Sequence, residues 1–245
     1  PSTDFEPEYI AIAPNGQKAW ATLQEANAVA EIDIEKARID RIVPLGLKDH
    51  SRRGNELDAS DRDGVVNITS WPVQGMYMPD AIGSYRGIGG GATFYVTANE
   101  GDARDADARI EDLELDPTAF PPEADLQNPF ALGRLQVSSI DGDDDGDGDY
   151  DRLQAYGGRS FSIWNKWGEQ VFDSGNQIEA IVATLTPEAW QDGRSDNKGP
   201  EPEGVVVGGL FGLDLAFIGL ERTSQVLVYL VNVPTRPLFL QLLQN

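Results

Sequence analysis

The residues with the most obvious chemistry are Asp141-Gly142-Asp143-Asp144-Asp145-Gly146-Asp147-Gly148-Asp149-Tyr150-Asp151. Seven of these eleven are aspartate and three are glycine. Such a run repels itself unless a cation neutralises it. Asp143, Asp145 and Asp147 stand two apart, Gly148 follows, and Asp151 falls at the ninth position. Alternate carboxylates that converge on a hard cation, with a glycine at the sharp turn, form the opening of a calcium loop. A second register starts at Asp141 and runs through Asp143, Asp145, Gly146 and Asp149. The twelfth position is Gln154 or Arg152, so neither register ends in the bidentate glutamate of an EF-hand. No helical pattern flanks the run. The reading is a calcium loop of another type, against the alternative of an acidic surface turn.

A second set of acids emerges from an internal repeat. Glu6-Pro7-Glu8, Met78-Pro79-Asp80 and Glu201-Pro202-Glu203 each lead into a strand-like run, a turn, a second run and then a glutamate: Glu25, Glu100 and Glu221. The separations from acid to glutamate are 17, 20 and 18 residues. Repeated strand meanders are the mark of β-propeller blades, which recur at about 40–50 residues. Equivalent positions of successive blades then circle a central axis. Glu8, Asp80 and Glu203 are expected to form an acidic ring, with Glu25, Glu100 and Glu221 as a second one nearby. Facing carboxylates need a cation or a proton. A divalent metal there would draw on Glu8, Asp80, Glu100, Asp102, Glu203 and Glu221. Arg104, Arg194, Lys198 and Arg222 are candidate anion-binding residues. The alternative is that these acids cap turns and pair with those same basic residues.

The elements that must position these groups read as short β runs. The chain is expected to be an all-β propeller of about four blades, near 6–47, 78–104, 157–183 and 201–243, as one domain or a fragment of a larger propeller. Insertions at 48–77 and 105–156 separate the blades. The run 178–183 reads as a strand, and Thr186-Pro187 as a helix start. His50 sits in a polar stretch; it is a candidate general acid, though a lone loop histidine of this kind reads first as solvated. The apolar run 238–243 ends the chain and suggests a strand whose partners lie beyond it.

Composition narrows the partners. The 245 residues carry a net charge of -22. That charge disfavours nucleic acid and anionic membranes, and it favours divalent cations. There is no cysteine and a single histidine, which excludes disulfides, thiol catalysis and multi-histidine metal sites. No G-x-S-x-G occurs, so a nucleophile elbow is absent. No run reaches the ~18 apolar residues of a membrane-spanning helix. Asn67-Ile68-Thr69 is a glycosylation sequon. The chain opens at Pro1 without a signal peptide, in keeping with a processed form, a fragment or a cytosolic protein.

Several longer motifs carry a family resemblance. They include the segments 44–51 and 57–64, Gly75-Met76-Tyr77-Met78-Pro79-Asp80, the segments 96–104 and 157–164, and Ser195-Asp196-Asn197-Lys198-Gly199-Pro200-Glu201-Pro202-Glu203-Gly204. In order and over nearly the whole chain, these resemble the choice-of-anchor I family. The resemblance implies a propeller, calcium, and an extracellular, cell-surface or periplasmic location. The family, a group of secreted or surface bacterial β-propeller proteins, is similar to cell-surface glycoproteins of biomineralising animals, and some members carry alkaline-phosphatase or phytase-like labels. The leading expectation is therefore a calcium-binding surface module in contact with matrix polymers or mineral. The alternative is a calcium-dependent phosphoesterase acting on phosphate esters at the acidic mouth.

Overall fold

The computed structural model describes residues 5–87, 91–103, 105–121 and 123–244. Strands β1 (Pro7–Ile12), β2 (Lys18–Leu23), β3 (Ala28–Asp33) and β4 (Arg38–Pro44) form an antiparallel sheet in chain order. Its turns need left-handed backbone, supplied by Gly16 in the Pro14-Asn15-Gly16 corner and by Asn27. Asparagine and glycine tolerate that region best.

Beyond β4 come β5 (Leu47–Asp49), β6 (Gln74–Met76), β7 (Ile82–Arg86) and β8 (Thr93–Asn99), followed by β9 (Asp107–Arg109), the short helix α1 (Glu123–Leu126), β10 (Gln136–Ser138) and β11 (Gln154–Tyr156). Then come β12 (Ser160–Asn165), β13 (Gln170–Asp173) and the nine-residue helix α2 (Gln177–Leu185). The last sheet is β14 (Pro202–Leu210), β15 (Leu213–Leu220), β16 (Gln225–Leu230) and β17 (Leu238–Gln244), again antiparallel in chain order.

The middle of the chain departs from expectation. The stretches 78–104 and 157–183, expected as separate blades, share one sheet in the order β13-β12-β8-β7. β12 runs antiparallel to β8 from Ser160 opposite Asn99 to Asn165 opposite Phe94. The reason lies at the neck of the 105–156 insertion. Gly101 and Gly157 both take positive φ, and their backbones touch: a Cβ added to Gly101 would lie 2.1 Å from the Gly157 Cα. The insertion therefore leaves and re-enters at adjacent strands, so β8 and β12 pair as if joined by a hairpin. The run 178–183 is also not a strand but part of α2. Its Ile178 and Val182 are four apart and fully buried, the spacing of one helical face. Pro187–Ala189 forms only a single 3-10 turn.

The two insertions fold onto each other. Strands from both make a five-stranded sheet, order β5-β6-β11-β10-β9, in which β6 and β11 pair in parallel. Leu57, Val73, Ile110, Leu132, Leu135, Val137 and Leu153 give it its own core. A second core joins β8, β12 and α2 to the last sheet through Val96, Phe161, Ile163, Ile178 and Tyr229. An aromatic stack, Trp20 on Tyr95 on Trp164, ties the first sheet to β8 and β12. Among the described residues the molecule is thus all-β, with four sheets and one helix of more than a single turn.

His50 is not solvated. It is 1% exposed, and its Nδ1 donates to the Asn55 carbonyl at 2.6 Å. Burial, with Lys48 nearby, holds it well below the usual histidine range, so it is a neutral core residue.

Candidate functional site

The aspartate run connects β10 to β11, which pair at Val137 and Ala155. Its turns are stitched by its own carboxylates. Asp143 accepts from the Gly146 amide at 2.7 Å and the Gly148 amide at 3.2 Å. Asp145 and Asp147 each accept from the amide two residues on. Asp151 accepts from the Asp144 amide at 2.8 Å. Short acids that bond to nearby backbone in this way make Asx turns. Gly142, Gly146 and Gly148 all take positive φ.

Oxygens of Asp143, Asp145 and Asp151 lie within 4.8 Å of one another. These are positions 1, 3 and 9 of the register that begins at Asp143. Asp147 does not join this group. Asp149 belongs to a neighbouring one, with Asp116 and Asp151, whose oxygens also lie within 4.8 Å. Asp151 is common to both. Burial pushes the Asp149 carboxyl up to about 6, with Asp147 and Asp116 adding repulsion. The Ala119 and Thr118 amides hold Asp116 below its ordinary value.

Asp116 escaped the sequence reading. It lies far from the run in sequence, and a bridge between Leu115 and Tyr150 brings it alongside. The only local signal is the turn it caps before Pro117-Thr118-Ala119.

The acids of the repeat also converge. Burial pushes the Asp80 carboxyl up to about 6, and Glu100, Glu203 and Glu8 add to that in turn. Of the expected first ring, Asp80 is thus the member that feels the charges of the other two. The second set differs in membership. Oxygens of Glu100, Glu201 and Glu221 lie within 4.8 Å, so Glu201 stands in the cluster where Glu25 was expected. Gln24, next to Glu25, donates to Glu100 at 3.1 Å.

The basic residues expected to bind an anion sit among these acids. Lys198 Nζ lies 2.6 Å from Glu100, 3.7 Å from Asp102 and 3.9 Å from Glu201. Arg222 lies 2.8 Å from Glu201 and 3.1 Å from Glu221. Arg194 Nε bonds Glu201 at 2.7 Å. Burial pushes the Glu201 carboxyl up, but Arg222, Arg194 and Lys198 outweigh it and hold it below its ordinary value. Arg104, the remaining expected cation, lies outside the described residues.

The class these features define is an all-β module with clustered carboxylates at two separate places. The chain belongs to the choice-of-anchor I family, whose domain description matches residues 1–234. It is 27% identical over 277 aligned positions to a mesenchyme-specific cell surface glycoprotein of Strongylocentrotus purpuratus, covering 94% of this chain and 35% of that protein. It is 34% identical over 121 residues to Gigasin-3a of Magallana gigas, covering 44% of this chain and 42% of that protein. The matched part is therefore less than half the length of either relative. Among solved structures, a hydrazine synthase of Kuenenia stuttgartiensis aligns over 96% of this chain and 65% of its own, at 10% identity and a TM-score of 0.21, too low to bear on the fold. No helix among the described residues is long and apolar enough to cross a membrane.

Proposed function

We propose that this chain is part of a calcium-binding β-propeller module that works outside the cell or at its surface, in contact with matrix or mineral. The observation that carries the calcium reading is the convergence of Asp143, Asp145 and Asp151 within 4.8 Å. Three converging carboxylates on a loop already turned by its own glycines suit a hard ion that takes oxygen ligands and completes its shell with backbone carbonyls and water. The surface location draws on the cell-surface glycoprotein among its relatives. The propeller reading draws on the first strands of three sheets: β7 packs against both β1 and β14, as inner strands around an axis do. The fourth sheet is then an elaboration on one blade. Calcium titration followed by thermal melting tests the module. A calcium-dependent rise in Tm that shrinks in Asp143→Asn/Asp145→Asn supports it, and a Tm that calcium leaves unchanged in the parent overturns it.

A second reading, a calcium-dependent phosphoesterase, draws on the Glu100, Glu201 and Glu221 cluster beside three cations. A metal there would polarise a phosphate and activate water. A phosphate would have to compete with Glu201 for Arg194 and Arg222, and that competition favours the module. Turnover of a phosphate ester that needs calcium and is lost in Glu100→Gln/Glu203→Gln would reverse the preference.

A further inference from the structure

A cavity of about 310 Å³ shares no residue with either group of carboxylates. Small-molecule sites run from about 300 to 1,000 Å³, so it stands at the lower end of that range. It opens where the first sheet meets the sheet of β8 and β12. The turn before β2 gives it Asn15 and Gln17, and β2, β3 and β4 give Trp20, Glu31 and Arg41. The turn between β12 and β13 adds Trp167.

Of the five tryptophans, only Trp167 is exposed, at 59%. A single exposed apolar side chain means little by itself. This one stands on a turn that is held still. Asn165 Oδ1 accepts from the Trp167 and Glu169 amides at 2.9 and 3.1 Å, and Asn165 Nδ2 donates to Glu169 at 2.7 Å. Gly168 takes positive φ and packs so closely on β4 that an added Cβ would lie 2.5 Å from the Val43 side chain. Arg41 Nη2 donates to the Lys166 carbonyl at 3.4 Å. The Lys166 ammonium stands 4.8 Å from the Trp167 ring centroid. A ring on so fixed a turn loses little freedom when a ligand lies against it.

The polar lining is also ordered in advance. Glu31 lies 2.7 Å from Arg41 Nε and 3.2 Å from Lys18 Nζ. The Asn15 side-chain amide donates to that of Gln17 at 3.1 Å. A guanidinium, a primary amide and a carboxylate each carry more donors or acceptors than these bonds use.

We propose that this cavity binds a neutral, gluco-configured sugar unit of an extracellular polysaccharide. A pyranose whose substituents are all equatorial offers axial C–H groups on both faces and hydroxyls around its edge. The C–H face suits the negative face of an indole. The hydroxyls, donor and acceptor at once, suit the amides, the guanidinium and the carboxylate. An aromatic ring beside cations would also take a nucleotide or a sulfated sugar, but a net charge of -22 opposes anionic polymers. The inference rests on the matrix-contact reading for its setting and names the polymer; it does not need the aspartate loop.

Calorimetry and tryptophan fluorescence with cellohexaose and chitohexaose, each in calcium and in chelator, test it. At least one of the two should bind under both conditions and shift the indole emission. Trp167→Ala should weaken that binding about tenfold, the loss of one aromatic contact, and Trp167→Phe should recover part of it. Gln17→Ala should weaken it less. Trp167 and Gln17 are exposed, so these variants should melt with the parent, which separates lost binding from lost folding. No binding of either sugar to the parent, or binding that Trp167→Ala leaves unchanged, overturns the proposal. So does a heparin hexasaccharide or a single-stranded DNA that binds more tightly than both sugars and is lost in Trp167→Ala. Sugar binding by a chain whose Tm ignores calcium sinks the calcium module and leaves this site standing; a calcium-dependent Tm without sugar binding does the reverse.

Discussion

Arg159 and Glu179 form an ion pair sealed inside the protein: Nη1 lies 3.0 Å from Oε1, and the two side chains are 3% and 2% exposed. The pair joins three segments that are distant in sequence. Glu179 also accepts from the Asp58 amide at 2.9 Å, and Arg159 donates to Ser195 and Asn197 carbonyls at 2.7 and 2.8 Å. Insertion, helix α2 and the approach to the last sheet meet there. Removing one partner of a buried pair strands the other charge, at a cost of about 3–5 kcal/mol. Glu179→Ala should therefore lower unfolding stability by about that amount, measured by urea denaturation at neutral pH. A loss like that of an exposed pair, under about 1 kcal/mol, would mean that water reaches Arg159.

Calcium should act mainly as a folding ligand of the aspartate loop. At a free concentration near 100 times Kd, a ligand that binds only the native state adds about 2.7 kcal/mol. A chelator should lower Tm correspondingly, and Asp145→Asn should shrink the difference between the calcium and chelator scans.

Gly142 holds the loop's entry. Its φ is +116°, and an added Cβ would lie 2.1 Å from the Arg152 carbonyl oxygen. That oxygen belongs to backbone and cannot swing aside. Gly142→Ala should destabilise the loop by about 1–3 kcal/mol and weaken calcium binding. Gly146→Ala, with open space around its Cβ, should do less. Comparative calcium titrations of the two variants decide this.

Acid should stabilise the calcium-free protein over part of its range. Burial and neighbouring acids push Asp58 and Asp80 up to about 6 from 3.8. Between those values the folded state binds more protons than the unfolded one, so stability falls as pH rises through the window and is highest below it. Tm in chelator should rise as pH is lowered from 7 to 5, and less so in Asp58→Asn/Asp80→Asn. With calcium present the trend should oppose this, because protons compete for Asp149, also raised to about 6. Parallel pH series with and without calcium read the contrast.

Parts of this protein are plain in the chain itself. The first and last sheets follow from alternating runs cut by Pro14-Asn15-Gly16 and similar turns. The middle was misread because neighbours in sequence are not neighbours in the sheet. β8 is followed by a long insertion before its partner β12 arrives, and only the contact of Gly101 with Gly157 makes them adjacent. The run 178–183 is apolar enough to suit a strand or a helix, and packing of Ile178 and Val182 on one core decides for the helix.

The candidate sites divide in the same way. The aspartate run announces its own chemistry, because a loop that turns on itself takes its ligands from within a few residues. Its charge and spacing suffice to point to a hard cation. Which oxygens converge is a tertiary matter: Asp116 enters through the Leu115 and Tyr150 bridge, and Asp147 stays outside. The mouth needed the fold more. The repeat groups Glu100 with Glu221, which do lie in one cluster, but Glu201, paired with Arg194 and Arg222, joins them without any place in that ring. A sequence records charge and local turn geometry. It does not record which carboxylates the fold brings together, because that depends on how segments distant in the chain pack.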